Sequence, residues 1–393
     1  MDGLRGVAML FVFFGHFGTV WSQLPHPHGV VDSYLKVLDA DATFGSSFFM
    51  LLSGFFAYAS LMRGKHFGVF IRGRIYRLYP LYLVLVAVYV FGSILIPKMS
   101  KLPSDPLDFA IFLIGNLLFL PGLVHVRPLL DVAWTMSFII LFYFIAGGLA
   151  RFFRVSGMTR PWRLLLLAVL GIVWAFVGEA TDLMPVRTCI FWVGMILSEI
   201  IQGITGSRLV WATRLTIPAV VLSILGLCLR THLMIVKPPT GIVPFMIVRT
   251  AITSATLFGV VWVAYYGPDW WKRILSRKQL CELGAVSYSY YLTHGFAIKI
   301  FRFVLFPHLG SYANTAVVFW SSQIVILVLS VLIARLVFVL VESPLSSLVS
   351  SISTSPVGLR AQLRLWWTSS LPAQAEPPAS SSGERGARIS NLG

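Results

Sequence analysis

Ten apolar runs, each long enough to cross a hydrocarbon layer of about 30 Å, decide what this chain can fold into. In lipid every backbone amide must find its partner inside the protein, so runs of this kind are helices and the fold class is all-α, a polytopic membrane protein. The runs fall at 6–23, 43–62, 79–96, 131–150, 164–178, 187–204, 215–229, 240–262, 284–303 and 316–341. An eleventh stretch, Asp108 to Val124, is short and broken by Gly115, Asn116 and Pro121, so it reads as a re-entrant or interfacial piece whose backbone is satisfied by protein or water.

Charge distribution gives these runs an orientation. Arg63, Lys65, Arg72, Arg74 and Arg77 follow the second run, Arg151, Arg154, Arg160 and Arg163 the fourth, Arg208 and Arg214 the sixth, and Lys272, Arg273, Arg277 and Lys278 the eighth. The alternate loops carry fewer cations, Lys36, Lys98, Lys101, Arg127, Arg187, Arg230 and Lys237, mixed with acids such as Asp32, Asp39, Asp41, Glu179 and Asp182. By the positive-inside rule both termini are expected in the cytoplasm; counting 108–124 as a full span would put the arginines of 151–163 outside. The net charge of +16 is therefore spent on topology, which argues against a nucleic-acid partner. Cys189, Cys228 and Cys281 lack metal-ligand spacing, and no metal is expected. The first run has no small-residue cleavage site and is expected to be a retained helix. Two domains are expected: a membrane domain over 1–345 and a cytoplasmic tail over 346–393, rich in Ser, Pro, Ala and Gly, largely disordered, with an interfacial helix at 359–367, LRAQLRLWW.

Within this hydrocarbon-compatible chain the polar residues are the informative ones. His16 sits in a run that is apolar on every face, and Arg5 lies eleven residues earlier, about 16 Å nearer the membrane surface. One reading is a buried base above a cationic mouth; the other is a packed histidine above an interfacial anchor. In FGSSFFMLLSGFFAYASLM, Ser53 and Gly54 let helices approach closely or leave room for a ligand. In RGKHFGVFIRGRIYRLYP, Arg72, Arg74 and Arg77 crowd one helix end, as topology anchors or as a fork of guanidinium groups for the phosphates of coenzyme A. The ninth run, GAVSYSYYLTHGF, carries Ser287, Tyr288, Ser289, Tyr290, Tyr291, Thr293 and His294, too polar for a lipid face and therefore lining a cavity or a helix contact. His294 and His16 are each about ten residues from the cytoplasmic end of their helices, which puts both imidazoles at one depth. Arg249, Glu199, Arg335 and Glu342 are further intramembrane charges, expected to form ion pairs among themselves.

Together these stretches resemble the membrane-bound acyltransferase-3 family, which moves acetyl or other acyl groups onto sugars of surface polysaccharides and related metabolites. Met1-Asp2-Gly3-Leu4-Arg5-Gly6-Val7-Ala8 with His16 resembles its DGLRGIA opening, and Phe49-Met50-Leu51-Leu52-Ser53-Gly54-Phe55 its FFxLSGF stretch. Arg74, Arg77, Tyr79 and Pro80 look like its RxxRixP segment, Gly284 to His294 its SYxxYLxH segment, and Val341 to Pro344 its acid-x-proline ending. The resemblance implies a multi-pass enzyme, expected in a bacterial inner membrane, with acyl-coenzyme A, in the simplest case acetyl-coenzyme A, as donor substrate and a glycan or lipid-linked sugar as acceptor. It implies His16 as general base with Arg5, His294 and Ser53 in the catalytic group, and Arg72, Arg74, Arg77 and Tyr288 on the donor; Ser53 or His16 would carry an acyl-enzyme if one forms. One departure stands out: Trp134, Thr135, Met136, Ser137, Phe142 and Tyr143 resemble the family's WSLxxE segment, but its acid falls on Ile139, shifting that role to Glu199 or Asp131 or leaving a catalytically degenerate member. The alternative from another class is a transporter or flippase, since buried arginines and histidines also mark substrate pathways.

Overall fold

The structure, a computed structural model, describes residues 2–63, 66–95, 100–124, 126–181, 184–236 and 242–354. Its helices are α1 (Asp2–Trp21), α2 (Val30–Ala40), α3 (Phe44–Leu61), α4 (Phe67–Leu95), α5 (Pro106–Leu117), α6 (Ala133–Phe152), α7 (Arg160–Thr181) and α8 (Ile190–Gln202). They continue with α9 (Arg208–Arg214), α10 (Thr216–Val236), α11 (Ile242–Tyr266), α12 (Asp269–Leu275), α13 (Lys278–Ala285), α14 (Ser287–Ile300), α15 (Ala316–Val337) and α16 (Ser343–Thr354). Among the described residues, 8 helical stretches are long and apolar enough to cross a membrane. The two other expected runs are α8 and α14, shorter helices lengthened by a 3-10 turn at Val186–Cys189 and by a wider π-type turn at Phe301–Leu305. The first residues of the expected tail, 346–354, belong to α16, and the rest of the tail reading, including the helix at 359–367, lies outside the described residues.

Two boundaries differ from expectation for physical reasons. The third run begins at Phe67, not at 79: α4 continues through Pro80, and its basic first turns stay helical because arginine stems lie along apolar surface while their heads reach polar ground. The 108–124 stretch is a 12-residue helix followed by irregular chain. Fully buried Asn116 supplies its missing partners, donating to the carbonyls of Phe112 and Arg127 at 2.9 and 3.1 Å and accepting from the amide of Leu129 at 2.8 Å. The hydroxyls of Tyr79 and Tyr82 cover the carbonyls of Leu117 and Asn116.

Small residues set the closest helix contacts. Gly54 of α3 lies against the Phe191 backbone of α8, and Gly194 of α8 against Leu51 and Phe55 of α3, so a Cβ at either position would overlap main-chain atoms. Two apolar clusters form the interior. One joins α3, α4, α6 and α8; the other joins Phe13, Phe17 and Trp21 of α1 to Tyr290, Phe301 and Phe319. Helices α1 and α14 contribute to both, with Leu4, Ala8 and Tyr291 in the first and Met9, Phe13 and Tyr290 in the second. The histidines expected to meet lie on these two helices, at the seam.

Candidate active site

A cavity of about 100 Å³ opens among α1, α3, α4, α6 and α14. Its charged lining is Arg5, Arg74 and Arg77, and no carboxylate lines it among the described residues. Ser46, Ser53, Thr135, Tyr143, Ser287, Tyr288 and Tyr291 supply the hydroxyls. Aromatic faces lie beneath two of these three cations, Arg5 of α1 and Arg74 of α4. The Arg5 guanidinium is 4.6 Å from the Phe56 ring centre, and that of Arg74 lies 5.0 Å from Tyr143 and 5.3 Å from Phe70 while donating to the Phe56 carbonyl at 3.3 Å. Ring quadrupoles offset part of the desolvation cost of such cations. Arg5 also reaches Asp2 at 3.3 Å, one turn back on α1. Buried Glu342, presented by a second π-type turn at Phe338–Glu342, accepts from the Ser289 hydroxyl at 2.5 Å and is near enough to Arg77 for their charges to interact.

At the far end of the cavity the hydroxyls of Tyr291 and Thr135 are 2.5 Å apart. One turn further along α14 is His294, fully buried, its ring stacked on Tyr290 at 5.3 Å and its centre 4.9 Å from that of His16. The Nδ1 of His294 is 3.1 and 3.0 Å from the carbonyl oxygens of Tyr290 and Tyr291. A carbonyl only accepts, so Nδ1 carries the hydrogen and the Nε2 lone pair of the neutral ring is left as an acceptor. His16, half-buried, makes no hydrogen bond to a described residue. Asp131 lies near enough to act on both imidazoles by charge and is bridged by Lys101 and by Lys299 at 2.6 Å. Burial alone would raise the Asp131 carboxyl, but the hydrogen bonds from Lys101 and Lys299 outweigh it and hold the group below its ordinary range.

A family profile described as an acyltransferase domain matches residues 1–338, spanning both the arginine cavity and the histidine pair. The chain belongs to the acyltransferase-3 family. Membership carries an acyltransferase activity and an acyl donor with it. No curated protein and no solved structure matches the chain significantly.

Against that background the geometry sorts the residues expected of such an acyltransferase. Arg5, Ser53, Arg74, Arg77 and Tyr288 line one cavity, with the Tyr288 hydroxyl donating to the Leu78 carbonyl, and His16 and His294 pair beyond its end. Arg72 is exposed and outside the cavity lining, since two residues along a helix turn it about 200° from Arg74. Ile139, where the family carries an acid, does line the cavity. Of the two proposed replacements, Asp131 acts on the histidines, whereas Glu199 is engaged elsewhere by Tyr58, Arg160 and Arg163.

The expected ion pairs among Arg249, Glu199, Arg335 and Glu342 do not form. Arg335 meets Glu282, Arg249 meets Thr43, Glu342 meets Ser289, and Glu199 meets Arg163, because each finds a nearer partner on the helix packed beside it. Sequence reading missed Thr135 as the partner of Tyr291, and Phe56 as the ring under Arg5. Thr135 was within reach, since it stands next to Trp134 in the segment that resembles the family.

Proposed function

We propose that this chain transfers an acyl group, in the simplest case acetyl, from a cytoplasmic acyl-coenzyme A to a hydroxyl of a glycan or lipid-linked sugar, as in exopolysaccharide or lipopolysaccharide modification. The observation that carries this reading is the convergence of Arg5, Arg74 and Arg77 on one cavity with no carboxylate in its lining. Arg74 and Arg77 meet no carboxylate within salt-bridge distance among the described residues, and guanidinium groups with free donors form strong charge-assisted bonds to phosphate oxygens. The cavity has room for the thioester end of the donor, with exposed Arg77 at the rim for its phosphates. Lys- and Arg-rich loops in the cytoplasm turn that rim toward the donor pool.

The chemistry then needs a base at the inner end. A neutral imidazole, His16 with His294 beside it, takes the proton from the acceptor hydroxyl as its oxygen attacks the thioester carbonyl. The Ser53 hydroxyl donates to the oxyanion that forms, since Thr135 donates to the Val132 carbonyl and itself accepts from Tyr291. Collapse breaks the carbon–sulfur bond, the imidazolium returns its proton to the thiolate, and the ester and free coenzyme A leave. Asp131 stabilises the transient imidazolium by charge, the task an acid at position 139 would otherwise serve.

Purified protein in detergent, given radiolabelled acetyl-coenzyme A, tests the reading. Wild type should release or transfer the label, and His16→Ala should lose at least 100-fold of that rate, in line with the loss of a general base. Full glycan acylation by His16→Ala in cells would overturn the assignment of the base.

A further inference from the structure

A second group of arginines stands at the opposite end of α3. Thr43 caps that helix, about 20 Å along it from Phe56, the residue under Arg5. Arg230 of α10, fully buried, donates to Asp41, to the Thr43 hydroxyl at 3.0 Å and to the Thr253 hydroxyl at 3.1 Å. The other Asp41 oxygen accepts from Thr231 at 2.8 Å, so this carboxylate is committed.

Arg249 of α11 receives no such partner: it has the Thr43 hydroxyl and, at 3.8 Å, the Met246 thioether. Arg187 has less. It sits on the 3-10 turn packed against α11, with the Trp134 ring 4.6 Å beneath it, and feels the like charge of Arg249. Among the described residues neither guanidinium meets a carboxylate. Two half-buried cations on elements packed together, with no counterion among the described residues, are costly, and the forked donors of arginine match the oxygens of phosphate and carboxylate.

The position relates this pair to the chemistry. Gly15 of α1 packs directly on Ala42, which sets its neighbour His16 beside the Asp41–Thr43 turn, and Trp134 under Arg187 adjoins Thr135 at the inner end of the cavity. Arg187 is thus near enough to Tyr291, one turn before His294, for their charges to interact, and Arg249 meets the Thr43 hydroxyl, next in sequence to the Ala42 on which Gly15 packs.

We infer that Arg187 and Arg249 bind an anionic group, a phosphate or a carboxylate, carried by the acyl acceptor, so that the acceptor is an anionic saccharide. This inference rests on the acyl-transfer reading for its name of acceptor, but the anion site is testable without it. The full-length protein in detergent is titrated calorimetrically with inorganic pyrophosphate and with glucuronate, with glucose as the neutral control. Glucuronate, and the pyrophosphate that still binds once Arg74→Ala has weakened the donor site, should bind at least tenfold more weakly when Arg187→Gln/Arg249→Gln is introduced, and glucose should give no heat. Tighter pyrophosphate points to a phosphate-linked saccharide, tighter glucuronate to an acidic sugar. Equal anion affinity in wild type and the double variant, or a loss confined to Arg74→Ala, overturns the inference. Should the double variant fail to fold, Arg187→Lys keeps the charge and removes the fork, and a two- to tenfold weaker affinity is expected; no change overturns the inference. A parallel titration with coenzyme A separates the two readings: no coenzyme A binding with the anion site intact removes the acyl-transfer reading alone.

Discussion

Two sets of arginines near one end of the helix bundle have the same sequence signature and opposite fates. Arg163 gives two hydrogen bonds to the Glu199 carboxylate at 2.9 and 2.7 Å and a third to the Met158 carbonyl. Arg160 caps the end of α8, donating to the carbonyls of Ile200 and Gly203 at 2.9 Å each, and Tyr58 completes Glu199 at 2.5 Å. That set shares one carboxylate and has most of its donors occupied. Arg5, Arg74 and Arg77 surround a cavity, the first two on aromatic supports, with donors to spare. The difference separates arginines that hold the fold from arginines that wait for a ligand, and it lies in what each can reach, since positive-inside anchoring describes both equally well.

That contrast can be broken by substitution. Glu199→Ala leaves a guanidinium and a phenol without their buried acceptor and should cost about 3–5 kcal/mol, read as a large loss of folded protein in a detergent melting assay. Arg74→Ala should melt within a few degrees of wild type yet raise the donor KM at least tenfold; a collapsed melting temperature with unchanged KM would place Arg74 in the structural set. The acid beside the histidines gives a smaller effect. Because Lys101 and Lys299 depress the Asp131 carboxyl in the folded protein, its contribution is present above the ordinary carboxylate range and is lost as pH falls through the depressed value. Asp131→Asn should therefore lower stability by a constant amount between pH 6 and 8, with the difference from wild type shrinking as pH falls below about 4. Smallest is the response to salt: raising ionic strength should weaken donor binding at the exposed Arg77 rim by a few-fold while the Glu199 cluster, shielded from solvent, keeps its stability.

Much of this was readable from residue spacing. Helical rise alone put His16 and His294 at one depth, and the rings are 4.9 Å apart. Three residues of separation gave Arg74 and Arg77 a shared face, and the cavity takes both. What spacing cannot supply is the choice of neighbour across helices. Arg163 read as a loop anchor but reaches a glutamate 36 residues away, and Arg230 meets an aspartate 189 residues away. The α4 boundary also escaped hydropathy: the apolar run starts at 79, but the helix begins twelve residues earlier and passes through Pro80, which a membrane helix tolerates when neighbouring groups satisfy the freed backbone.

The wide turn at Phe338–Glu342 has a mechanical consequence. A π-type turn holds one more residue than its α-helical equivalent, so it shifts the angular phase of everything downstream by about 100°. Losing a single residue between 338 and 341 would swing the Glu342 side chain off Ser289 and toward lipid while leaving the span almost as long and as greasy as before. Insertions and deletions at this point should thus silence the enzyme through rotation, in a segment where hydropathy alone would register no change.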